Sequence, residues 1–96
     1  MKTHFDEAFL EASTEILRAI AHPIRIAIVD LLHTHQRLSV TEIFKKLKIE
    51  QAIASHHLRI LKNQDVVDVQ RDGKNSYYAL CKPEYYEIVQ TLTKVV

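Results

Sequence analysis

The residues between positions 51 and 62 have the types and spacing to read a nucleic acid. At about 100° per residue from Gln51, an α-helix places Gln51, Ala52, Ser55, His56, Arg59, Lys62 and Asn63 on one half of its circumference. Ile53, Ala54, His57, Leu58, Ile60 and Leu61 take the other half. The division leaves one apolar half and one hydrogen-bonding half with no carboxylate. Arginine can bond guanine O6 and N7, glutamine adenine, and serine a base or a phosphate. Against this stands the plain reading of a solvated polar face. His57, in the middle of the apolar half, reads as a core histidine, and Ile53 as core and not a base contact.

Two further basic groups flank this segment. Lys45, Lys46 and Lys48 end the preceding helix and serve either as phosphate contacts or as solubilising charge. The segment Arg71-Asp-Gly-Lys-Asn75 sets two cations beside a tight turn. Such a tip either lies against the DNA minor groove and backbone or protects an exposed strand edge with charge.

Other chemistry finds little support. His33 and His35 are two apart, so on a helix they point about 200° away from each other and cannot share a metal ion. A histidine at a helix C-terminus is commonly dipole compensation. Cys81 is the only cysteine, which excludes an internal disulfide, fits a reducing cytoplasm and reads as an inert thiol. The chain offers no Gly-rich phosphate loop, no nucleophile–base pair with an orienting group and no paired carboxylates in a plausible cleft, so no enzymatic activity and no cofactor are expected.

These groups sit on one small domain, residues 1–96. The 13 Lys and Arg against 12 Asp and Glu leave a net charge of +1, which rules out a polybasic tail or an acidic solvating segment. The balance hides an asymmetry. Residues 45–75 carry a net +3 and the rest −2, with Asp6, Glu7, Glu11 and Glu15 concentrated near the start. A polyanion would meet the middle of the chain. At 47% apolar and 26% charged residues the chain is neither disordered nor fibrous. Ile26 to Val29 is the longest purely apolar run, too short to span a membrane, and acid stands where a signal peptide would have its apolar core.

The elements follow from periodicity and punctuation. Phe5, Phe9, Ala12, Ile16 and Ala19/Ile20 predict an amphipathic helix over 5–20. His22-Pro23 breaks it, with Pro23 at the first position of the next helix, whose Ile24, Ala27, Ile28 and Leu31 stripe marks the buried centre. Ser39-Val-Thr-Glu42 is a capping box opening a short helix with Val40, Ile43, Phe44 and Leu47 inside. The helix over about 51–63 follows. Val66 to Arg71 alternates as a strand, Asp72-Gly73 is the hairpin signal, and Ser76 to Leu80 returns. Pro83 starts a last helix to the C-terminus. The order is helix, helix, helix, helix, hairpin, helix. The single glycine marks the one tight turn expected.

Two short helices joined by a tight turn, the second polar and basic, then a basic-tipped hairpin, describe a mainly α winged helix-turn-helix. The chain here resembles the ArsR/SmtB family of bacterial winged-helix repressors. The matching pieces are Ala21-His-Pro-Ile-Arg-Ile-Ala-Ile-Val-Asp-Leu-Leu32, Ser39-Val-Thr-Glu-Ile43, Gln51 followed by Ala-Ser55-His-His-Leu-Arg-Ile-Leu61, and Arg71-Asp-Gly-Lys-Asn-Ser-Tyr-Tyr-Ala-Leu80. The resemblance implies a cytoplasmic homodimer that binds operator DNA and is released by a signal, usually a metal ion. It points to Gln51, Ala52, Ser55, His56 and Arg59 as base or phosphate contacts, and to Lys45, Lys46, Lys62, Arg71, Lys74 and Asn75 as backbone and wing contacts. Three positions depart from the family. Glu50 replaces a frequent Ser N-cap, Ile53 a common Thr or Ser, and Asp65 a frequent Gly, where Asp still tolerates a left-handed backbone.

A domain this small is marginal alone, and no disulfide or zinc framework compensates. The central helices and hairpin are expected to close a core by themselves. That leaves the first (5–20) and last (83–96) helices to dimerise through Phe5, Phe9, Ile16, Tyr85, Ile88, Val89 and Leu92. The family's metal sites are not expected. Ser39 and Thr41 stand where one site needs a Cys-x-Cys, and the last helix has no histidine for the other. The leading reading is a sequence-specific DNA-binding regulator, a repressor of unknown inducer on an inverted repeat. The alternative is a winged helix that binds protein instead of DNA.

Overall fold

The computed structural model describes residues 1–96 as five helices and three strands: α1 (Glu7–Ile20), α2 (Pro23–His35), β1 (Arg37–Ser39), α3 (Val40–Leu47), α4 (Gln51–Asn63), β2 (Val67–Asp72), β3 (Asn75–Leu80) and α5 (Glu84–Leu92). No helix is long and apolar enough to cross a membrane.

Local chemistry sets most boundaries. Asp6 caps α1, its carboxylate accepting from the Phe9 N–H at 2.8 Å. The predicted helix from residue 5 therefore starts late: Phe5 lies outside it and stacks on Phe9, ring centroids 4.5 Å apart. His22 caps α2, its Nδ1 accepting from the Ile24 N–H at 3.1 Å, and Pro23 takes the first helical position. The Ser39–Glu42 capping box forms in full, with reciprocal bonds of 3.1 and 3.0 Å. The last helix is shorter than predicted. It runs Glu84–Leu92 behind Pro83, leaving Val95 and Val96 exposed beyond it.

The strand count differs from the sequence reading. Besides the hairpin, β1 pairs antiparallel with β3, giving a three-stranded sheet in the order β1-β3-β2. β1 is three residues long, too short to show an alternating pattern, and its partners Tyr77, Tyr78 and Ala79 lie about forty residues on. The hairpin is also shifted by one residue. Asp72 pairs with Asn75, so the loop is Gly73-Lys74 and not Asp72-Gly73. Of these two loop residues only Gly73 has a positive φ, 63°, the pattern of a turn with glycine first. Lys74 thereby stands at the apex.

Glycine was expected to mark the only tight turn, yet three helices end on a positive-φ residue that is not glycine, α2 on Gln36 (φ 70°) and α3 and α4 on Lys48 and Asp65. At the end of α3, Lys48 has φ 57°, and the N–H groups of Lys48 and Ile49 bond back to Lys45 and Phe44. At the end of α4, Asp65 has φ 55°, with Asp65 and Val66 bonding back to Lys62 and Leu61. Both are Schellman motifs, which satisfy the terminal carbonyls and turn the chain sharply. The first sets the angle between α3 and α4, and the second turns the chain towards β2.

One core holds the elements together: Ile28, Val29 and Leu32 of α2, Ile43 of α3, Ala54, Leu58 and Leu61 of α4, and Val66 and Val67 at the start of the hairpin. It also contains Ala19 and Ile20 of α1, while Ile16, Tyr85, Tyr86 and Val89 pack half-buried against it. The expectation of a core closed without the first and last helices is therefore corrected. Their inner edges belong to it, because the exposed flank of so small a core costs more than the helices' lost freedom.

Candidate nucleic-acid interface

Helix α4 is buried on one side and bare on the other. Ala54, His57, Leu58 and Leu61 face the core, whereas Gln51, Ala52, Ser55, His56, Arg59 and Lys62 are all exposed. The structure brings the predicted recognition residues together on one rigidly backed face. Glu50 precedes this helix with an extended backbone and makes no side-chain cap, the poorer cap expected where Glu replaces the family's frequent Ser. Arg59 Nη2 lies 3.5 Å from His56 Nδ1, linking two members of the outward face.

Ile53 corrects the sequence reading. Placed with the apolar half, it is nonetheless 40% exposed. A helical wheel assumes neighbours along the whole apolar arc, but the first turn of α4 projects beyond the core that covers Ala54 and His57. Helix α4 thus carries an uncovered isoleucine beside its exposed polar groups.

His57 is the one buried polar residue, 8% exposed. Its Nδ1 lies 3.3 Å from Arg25 Nη1, so a neutral ring accepts from the guanidinium. The His22 ring stands 4.3 Å away and the His56 ring 5.0 Å away, edge-on. Arg25 also donates to the Arg18 carbonyl at 3.5 Å, which ties α1, α2 and α4 at one point. Burial first, then His22, Arg25 and His56, hold the His57 pKa below the usual histidine value. The unfolded chain therefore binds the His57 proton at higher pH than the folded protein does. Stability from this group is complete above the unfolded pKa near 6.5 and is lost as pH falls towards the lower folded value. Denaturant titrations from pH 7.5 to 5 are expected to show this loss, at no more than about 1.4 kcal/mol per pH unit. His57→Gln, which keeps an acceptor for Arg25 but does not titrate, removes this part of the slope. An unchanged slope in the variant shows that His57 is not its source.

The wing carries Arg71, Lys74 and Asn75, all exposed, at the far end of the sheet. Lys45 and Lys46 are exposed on the last turn of α3, and Lys48 on the turn before α4. Arg37, which the sequence reading passed over, stands with the wing. Its Nη2 lies 3.2 Å from Asp72 Oδ2 and its Cζ 4.3 Å from the Tyr77 ring centroid. Only the tertiary pairing of β1 reveals it.

Elsewhere, α1 and α5 enclose an open, largely apolar groove of about 560 Å³, lined by Phe9, Ser13, Ile16, Leu17, Tyr85 and Ile88 together with Lys82 and Glu84. Phe5, Phe9, Leu17, Ile88 and Leu92 are exposed. Of the residues assigned to dimerisation, Ile16, Tyr85 and Val89 lean on the chain's own core, and Phe5, Phe9, Ile88 and Leu92 remain uncovered. Leu17 joins them, missed because it falls off the strict three-four spacing. No cluster of three or more histidine, cysteine or carboxylate groups is close enough to hold a metal ion. His33 instead stacks on Tyr86 of α5, centroids 3.6 Å apart and planes within 2°. Partial burial, with Asp68 and Asp65 nearby, pushes the Cys81 thiol pKa up, away from the reactive thiolate.

Residues 22–69 match the model of the bacterial regulatory protein, arsR family. The chain belongs to this family. Relatives extend the likeness over most of this chain. The transcriptional repressor PagR of Bacillus anthracis is 35% identical over 86 residues, 90% of this chain and 86% of PagR. The repressor SmtB of Mycobacterium tuberculosis is 42% identical over 80 residues, 83% of this chain but 58% of SmtB, so the chain spans little more than half of that relative. The crystal structure of PagR superposes with a TM-score of 0.83, covering 91% of this chain and 99% of that one. A homodimeric winged helix-turn-helix DNA-binding domain from Mycobacterium bovis, 25% identical, superposes with a TM-score of 0.81 over 99% of this chain and 89% of that one. The ArsR-family chain is a DNA-binding transcriptional regulator and not an enzyme. The alternative of a protein-binding winged helix gains nothing from these likenesses.

Proposed function

We propose that the protein is a homodimeric repressor that occupies an inverted-repeat operator, residues 1–96 forming one DNA-binding domain with α1 and α5 as its dimerisation elements. The observation that carries this reading is the two-sided α4: its inner side is fixed in the core while Gln51, Ala52, Ser55, His56 and Arg59 stand free. A rigid helix with a bare hydrogen-bonding face suits the major groove, where base edges present a distinct donor–acceptor code. Lys45, Lys46 and Lys62 bracket it with cations for phosphates, and Arg71, Lys74 and Asn75 on the wing reach the flanking backbone or minor groove.

Two copies joined through the uncovered faces of α1 and α5 present two such helices. A twofold pair of recognition helices fits half-sites about one helical turn, ~34 Å, apart. The regulator works in the cytoplasm, where its DNA lies. Its signal is not a metal held at the family's usual sites: Ser39 and Thr41 supply hydroxyls where thiolates are needed, and α5 has no histidine.

Selection of bound fragments from genomic DNA tests the reading. The selected sequences are expected to share an inverted repeat, and affinity to fall steeply with salt as phosphate counterions are released. Selection of sequences with no common repeat, bound no tighter than random duplex, overturns it.

A further inference from the structure

The wing tip holds one carboxylate, Asp72, between the cations Arg71 and Lys74. Left free, it would repel the phosphates those cations attract. It is not free. The guanidinium of Arg37, on the edge strand β1, lies on the Tyr77 ring of the central strand and reaches the Asp72 carboxylate at 3.2 Å. The chain has one other ion pair, a local contact of 3.8 Å within α1. The Arg37–Asp72 pair alone joins distant segments, 35 residues apart in sequence.

Both partners are exposed, so their attraction adds little to folding stability. Their location is more informative. Tyr77 fixes the plane and position of the guanidinium through its ring face, and β1 anchors Arg37 beside buried Leu38. The cation is therefore held over the inner part of the wing while its charge cancels the single acid near the apex.

We infer that Arg37 is a positioning residue for the wing. It masks Asp72, so that Arg71 and Lys74 meet the DNA backbone without an opposing charge. This rests on the operator-binding reading above and assigns to Arg37 a part in it without direct contact with DNA.

A double-mutant cycle tests it, with affinities for operator and for random duplex measured by fluorescence anisotropy at low salt. Arg37→Ala is expected to weaken both about three- to tenfold, since the unmasked charge lies within a Debye length of the phosphates. Asp72→Asn is expected to change the wild-type affinity less than about twofold. In the Arg37→Ala background the same change should restore affinity to near the wild-type value, because coupled residues depart from additivity. Thermal melting of each variant separates this from loss of fold, and Arg37→Gln replaces Arg37→Ala in the cycle if the alanine variant melts early. Equal effects of Asp72→Asn in the two backgrounds overturn the inference and make Arg37 a direct or purely structural residue. An Arg37 variant that binds as wild type overturns it as well. If the wild-type protein binds no duplex at all, the operator reading fails and this inference with it.

Discussion

Replacing Phe9 and Ile88 together with aspartate is expected to turn the protein into a monomer that releases its operator. Both side chains are exposed on the walls of the groove between α1 and α5, where Leu17 and Leu92 extend the same uncovered surface. A twofold axis repeats each residue on the partner, so two substitutions place four carboxylates in one interface. Burying unpaired carboxylates there costs far more than the apolar contacts return. The fold itself is spared, because neither residue belongs to the buried core. Light scattering should report the protomer mass of 11.2 kDa in place of a dimer, with an unchanged far-ultraviolet circular dichroism spectrum. Operator affinity should fall by about 10²–10⁴, since the second half-site loses the effective concentration the dimer provides. A variant that stays dimeric places the interface elsewhere. A wild-type protein that is monomeric at micromolar concentration sinks the homodimer outright.

Arg59→Ala is expected to reduce specific binding by about 1–3 kcal/mol, the range for a bidentate arginine–guanine contact. Arg59 stands exposed mid-way along α4, with only His56 as a neighbour in hydrogen-bond range. Its loss leaves the core untouched, so the effect belongs to recognition. Lys74→Ala serves as the contrast. At the hairpin apex it should weaken operator and scrambled duplex alike and flatten the logarithmic salt dependence by about one unit. Anisotropy titrations of both variants on both duplexes, over a series of salt concentrations, separate the two roles. Unchanged affinity and unchanged sequence preference in Arg59→Ala would show that the reading face is wrongly assigned.

The elements that bear function were legible because short-range chemistry writes them. Pro23 at the start of α2, the Ser39–Glu42 box and the two-sided segment 51–63 each act within one or two turns of chain. His57 was readable as core for the same reason: its neighbours on the wheel, Ala54, Leu58 and Leu61, are apolar. The turn at Lys48 was harder, whereas Asp65, standing where the family often has Gly, was expected to tolerate the left-handed backbone it adopts. A left-handed residue usually announces itself as glycine, and here Schellman bonds hold Lys48 and Asp65 in that conformation instead. The hairpin loop slipped by one residue from its Asp-Gly signal, because a turn with glycine first satisfies the same backbone constraint with Gly73-Lys74.

Sequence alone determined the family of fold, the order of the helices, the exposed polar face of α4 and the basic hairpin tip, all set by periodicity, capping and charge. Tertiary structure decided what depends on distant neighbours. It made β1 a strand, by giving three residues a partner about forty positions away. It drew Ala19 and Ile20 into the core and leaned Ile16, Tyr85 and Val89 against it, leaving Phe9, Leu17, Ile88 and Leu92 of α1 and α5, with Phe5 ahead of α1, as the uncovered apolar surface. It left Ile53 uncovered and joined Arg37 to Asp72. Periodicity states which way a side chain points, and only the packing of the whole chain states what, if anything, it meets there.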